Sequence, residues 1–96
     1  MSKGKVIVRH KVRDFNAWKP FFLGDVKRQR DSGFTSWRIM RNQTDMNEVV
    51  VIFESEDLEK AKPMFSDPAL VELMKRAGVV DQPTVFVLVE AESGTL

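Results

Sequence analysis

Two hydrophobic rhythms alternate along the chain. Val6, Val8, His10 and Val12 fall on every second position, with Ile7, Arg9 and Lys11 between them. That is the period of a strand with two distinct faces. After Asp14 the period lengthens, and Phe15, Trp18, Phe22 and Val26 recur at helical spacing. Asp14 reads as the N-cap of that helix, because its carboxylate can accept from the first unpartnered helix N–H groups. The stretch FTSWRIMRN, Phe34–Asn42, returns to a strand. A polar turn at QTDMN, Gln43–Asn47, leads into EVVVIFE, Glu48–Glu54, so these two strands form a hairpin. Asp57 precedes a second helical pattern. SDPALVELMKRAG, Ser66–Gly78, is a helix with Asp67 as its cap, Pro68 at its first position and Gly78 as its stop. PTVFVLVE, Pro83–Glu90, is the last strand, followed by AESGTL.

The two halves of this pattern match each other. Val6–Phe22 aligns without a gap on Val49–Phe65, with identities at Val6/Val49, Val8/Val51, Asp14/Asp57, Lys19/Lys62, Pro20/Pro63 and Phe22/Phe65. Each half runs from an apolar strand to an Asp cap to a helix carrying a proline. That proline either bends the helix or marks where its regular part begins. The element order is βαββαβ, with the second helix split near Ser66–Pro68. It predicts an α+β, ferredoxin-like fold with a four-stranded antiparallel sheet. One domain spans residues 1–92, and 93–96 form a C-terminal tail.

In such a sheet the first and third strands are central. Val6, Val8, His10, Val49, Val51 and Phe53 share the face expected to meet the helices. Ile7, Arg9, Lys11, Val50, Ile52 and Glu54 share the other. Helices cover only one face, and the second is apolar enough to call for a second copy of the chain. The charges on it are expected to pair across neighbouring strands.

Composition narrows the chemistry. With 96 residues, a single domain is the natural size, and one this small often gains stability by association. There is no cysteine, which removes disulfides and thiolate chemistry. No signal peptide or membrane span is read, and a cytoplasmic location is expected. Residues 1–41 hold 11 Lys/Arg against 3 Asp/Glu, and residues 42–96 hold 4 against 11. The basic residues are interleaved with a strand and a helix, so the two halves are expected to attract each other rather than bind nucleic acid. One histidine without cysteine cannot supply a zinc site of N and S ligands. No glycine-rich phosphate loop and no nucleophile elbow occur. Asp25 and Asp31 read as solvated, and Met64 and Met74 as packing.

The segments VRHKVRDFNAWKPFF, RIMRNQTDMNEVVVIFE and DLEKAKPMFSDPALVELMKRAGVVDQP, with the closing strand, resemble the dimeric α+β barrel superfamily. They are most similar to its small bacterial members related to antibiotic-biosynthesis monooxygenases and polyketide cyclases. The resemblance covers nearly the whole chain and speaks for fold and kinship, not activity. It implies a homodimer whose two sheets close into a barrel, and a ligand cavity between sheet and helices in each subunit. In related cyclases a first-strand histidine is an acid–base group, and His10 is the matching position. Related oxygenases act on polycyclic phenols without metal or flavin, using Asn, Trp and Arg side chains. Trp18, Trp37, Arg38 and Asn42 are counterparts by residue type, and no cofactor is implied. Haem-degrading relatives rely on a late histidine, which this chain lacks.

Two readings of His10 follow. It is either a core histidine bonded to a backbone carbonyl or carboxylate, or a polar group at the base of a pocket walled by Trp18, Phe22 and Phe53. The corresponding functions are a cofactor-independent enzyme acting on an aromatic or polyketide-like molecule, and a binding or regulatory module without chemistry. In the first, His10 moves a proton, and Arg38 holds a developing anion if its face of the strand points inward.

Overall fold

The computed structural model describes residues 3–96. Its elements are β1 (Gly4–Lys11), α1 (Phe15–Leu23), α2 (Val26–Asp31), β2 (Phe34–Asn42), β3 (Asp45–Ser55), α3 (Leu58–Ala61), a 3₁₀ helix (Lys62–Ser66), α4 (Pro68–Arg76) and β4 (Thr84–Val89). The four strands form one sheet in the order β2-β3-β1-β4, and every pair is antiparallel. This is the ferredoxin-like architecture that the sequence predicts. Among the described residues, no helix is long and apolar enough to cross a membrane.

The three Asp caps form as expected. Asp14 accepts from the Asn16 N–H, Asp57 from Glu59 and Asp67 from Ala69. Gly78 follows α4 at φ 89, a left-handed conformation that a side chain disfavours and that turns the chain back toward β1. Three local expectations need correction. The hairpin turn is shorter than Gln43–Asn47, since β3 already begins at Asp45. Val12 lies beyond β1 and pairs with Val79 in an isolated bridge. The first helical run is broken: α1 continues through Pro20 to Leu23, then Gly24 and Asp25 interrupt it before α2. Val26 therefore starts a separate helix and is absent from the buried core.

The face assignment holds. Val6, Val8, His10, Val49, Val51 and Phe53 are all buried under the helices. Phe34 and Phe53 stack at 4.2 Å, Phe53 lies 5.9 Å from Phe22, and Phe22 stacks on Trp18 at 5.3 Å. This aromatic column ties α1 to the sheet. Leu58, Ala61, Met64, Leu70 and Ala77 close the core from the second half.

The opposite face has no cover within the protomer. Ile7 lies across from Ile52 and Phe86, and Met40 across from Val50. Phe86 is 50% exposed, Met40 47% and Leu88 43%. Charged pairs frame this apolar patch. Lys5 binds Glu54, Arg9 binds both Glu48 and Asp81, and Lys11 reaches Asp45. Each pair joins the basic first half to the acidic second half, as does Arg28 with Asp67. Lys5, Arg9, Lys11 and Arg28 thus spend part of the uneven charge distribution inside the fold.

Candidate functional site

His10 is 3% exposed, and neither ring nitrogen has a hydrogen-bond partner among the described residues. Strand alternation puts it there: β1 pairs His10 with Val49, on the side facing α1. Trp18 meets it edge-on, with ring centroids 5.6 Å apart. Burial among apolar groups pushes the imidazole down to about 4, with Asp81 opposing that shift and Arg9 adding to it. At neutral pH it is therefore uncharged, with one N–H donor and one bare nitrogen.

His10 lines a cavity of about 50 Å³ between the sheet and α1, α2 and α4. Val8, Val51, Phe53, Trp18 and Phe22 form its inner wall, and Met64, Leu70 and Met74 close it from the second half. Phe21, Asp25 and Leu73 are more exposed and form its rim. Such a volume holds a few waters, against the ~150 Å³ at which an engineered apolar cavity takes benzene. A ring-sized ligand therefore seats one edge inside and leaves the rest between rim side chains.

Two lining residues escaped the sequence reading. Gln29 is 4% exposed, and its Oε1 has no partner. Its amide is held by Nε2, which donates to the Phe22 carbonyl at 3.2 Å. Asp25 was expected in solvent, but its side chain is only 14% exposed, binds Arg28 at 3.0 Å and lines the cavity. Trp18, Phe22, Asp25 and Gln29 keep the i, i+4, i+7, i+11 spacing, but the break at Gly24–Asp25 divides them between α1 and the start of α2, so the helix junction rather than one helix face gathers them at the cavity. Asp31 does sit in solvent, paired with Lys27.

The structure brings His10, Trp18, Phe22 and Phe53 together at this cavity. It does not bring Arg38 there. Arg38 lies across from Ile52, on the open face of the sheet, so strand register separates it from His10. Trp37 is on the helix side and meets Phe22 edge-on at 5.4 Å, at the margin of the column. Asn42 donates to Glu48, in the Arg9 network. A second cleft, of about 420 Å³, runs between α4 and β4 past Val71, Val80 and Val85. It is larger, but its carboxylate, Asp81, is already bonded to Arg9 and to the Lys11 N–H. Among the described residues, the unsatisfied buried polar atoms belong to His10 and Gln29, which both line the first cavity; Gln29 also borders a shallow cleft beside Arg30 and Trp37.

No protein-family profile matches the chain, and no curated relative does. Solved structures do. SnoaB, a cofactor-independent oxygenase from Streptomyces nogalater, superposes with a TM-score of 0.67 over 95% of this chain and 97% of its own, at 15% identity. A proposed antibiotic biosynthesis monooxygenase from Caulobacter crescentus gives 0.72 over 95% and 92%, at 13% identity. Rv0793 from Mycobacterium tuberculosis gives 0.67 over 95% and 97%, at 14% identity. At these identities the likeness is one of fold. The chain thus has the ferredoxin-like fold of the antibiotic biosynthesis monooxygenase-like proteins.

Proposed function

We propose that this chain is a homodimeric, cofactor-independent monooxygenase-like enzyme acting on an aromatic or polyketide-like molecule in the cavity under α1. The observation that carries this reading is the pair of unpartnered His10 nitrogens in an apolar wall. A buried polar group without a partner costs about 1–3 kcal/mol, and a ligand or water that bonds to it recovers part of that. His10 is neutral at physiological pH, and its bare nitrogen can take a proton from an acidic ligand hydroxyl or carbon when the ligand anion left beside it supplies the counter-charge that the apolar wall lacks. The ligand anion so formed is the electron-rich species that can react with dioxygen without flavin or metal. Arg38, on the open face, is assigned no part in this step. In the dimer, a second copy covers the open face of the sheet.

One observation favours the non-catalytic alternative. No carboxylate or carbonyl is bonded to the His10 ring to orient it, a support that histidine bases ordinarily have. The same cavity then serves binding alone. Turnover separates the two. Dioxygen uptake is measured with hydroxylated two- and three-ring aromatics, using wild type and His10→Ala. The enzyme reading expects uptake by wild type that is flat above pH 6, declines as pH falls through about 4, and is lost in His10→Ala. Uptake that survives the substitution unchanged defeats His10 as the base. Binding of these compounds without uptake leaves the binding module.

A further inference from the structure

We infer that Gln29 is a ligand anchor in the same cavity, and that it restricts the site to uncharged ring compounds presenting an N–H or O–H group. The inference rests on the pocket reading above and adds a residue and a ligand class to it. Gln29 lines the cavity, and its Oε1 is buried and unpartnered. The amide cannot turn over to relieve this. Its Nε2 is committed to the Phe22 carbonyl, and rotation would set Oε1 against that same oxygen. The chain thus presents the cavity with a fixed acceptor, and only a donor can satisfy it.

Phe22 O accepts from the Asp25 N–H as well, at 3.1 Å, at the break between α1 and α2. That break therefore turns Gln29 inward and fixes its amide. Beside it, Asp25 adds carboxylate oxygens at the rim, and no Lys or Arg lines the cavity. The Asp25 carboxylate is already paired with Arg28, so the cavity walls offer an incoming anion no free cation while His10 is neutral. A carboxylate ligand would shed water with no cation to replace it.

The test uses two isosteric rings. Indole carries an N–H, and benzofuran has an oxygen in its place. Affinities are read from the NMR signals of the Gln29 side-chain amide and the His10 ring in the full-length protein. Indole is expected to bind about tenfold tighter than benzofuran, the weight of one buried acceptor left unmet. Benzoate is expected to bind more weakly than either. In Gln29→Met the indole preference disappears while benzofuran binding persists. Gln29→Asn keeps the amide but withdraws it by one methylene, and reduces the preference if the Met variant folds poorly.

Equal binding of indole and benzofuran by wild type overturns the inference and leaves the pocket reading intact. So does a preference that survives in both variants. Benzoate binding as tightly as indole overturns the exclusion of anions. If neither ring perturbs His10 or Gln29, the pocket reading falls and this inference falls with it.

Discussion

Protonating His10 puts a charge into a wall made of Val8, Val51, Trp18 and Phe53. The carboxylate that favours protonation, Asp81, is already bonded to Arg9, which opposes it. The imidazole therefore titrates near 4 in the folded protein, against an ordinary 6.5. Between those values the unfolded chain holds a proton that the folded chain refuses, so stability declines as pH falls from about 6.5 to about 4. The separation corresponds to about 3 kcal/mol. His10→Leu keeps the volume and removes the titration. Unfolding midpoints from pH 7 to pH 4, at fixed protein concentration, are expected to fall more steeply for wild type than for the variant. Parallel curves would show that the buried imidazole is not the acid-sensitive group. The ring's side of the strand was readable from alternation alone. Its lack of any partner was not, because that depends on every atom within reach.

At the scale of elements, the edge pairing of β4 depends on one residue. A Cβ on Gly4 would collide with the Leu88 carbonyl oxygen and lie 2.9 Å from Leu58 Cδ1. The oxygen is backbone and cannot step aside without disturbing the β1–β4 ladder. Gly4→Ala is expected to cost about 1–3 kcal/mol in urea unfolding, with amide protection lost first along β4. Gly94→Ala, where nothing lies within 4 Å, is the control and should change nothing measurable. Loss of protection spread evenly over the sheet would mean that the close approach is not what Gly4 serves. Strands, caps and the order of elements were legible because each is written in local period and capping chemistry. The break at Gly24–Asp25 was not. A continuous apolar stripe from Phe15 to Val26 reads as one helix and outweighs the local stop and start signals, Gly24 and Asp25, that sit at the break.

For the whole molecule, the open sheet face is the outstanding feature. Ile7, Ile52 and Phe86 form its apolar centre, with Met40 and Leu88 beside them. β4 is also exposed on its other side at Val87 and Val89. An uncovered edge strand of this kind invites association. Wild type is expected to sediment at twice 11.0 kDa at micromolar concentration, and Phe86→Glu at 11.0 kDa. A wild-type monomer would refute the dimer. A Phe86→Glu dimer would place the interface elsewhere.

The sequence by itself determined the βαββαβ order, the central strands, the two faces of the sheet and the face that carries His10. Each follows from periods of two and 3.6 and from Asp, Pro and Gly at element ends, which act over a few residues. Tertiary structure alone decided three things. Strand register sent Arg38 to the face away from His10. The turn between α1 and α2 brought Asp25 and Gln29 into the cavity. The packing of α1 and α4 left the His10 nitrogens and Gln29 Oε1 without partners. Register, helix junctions and hydrogen-bond satisfaction all depend on groups distant in the chain, and no local pattern of residue types settles them.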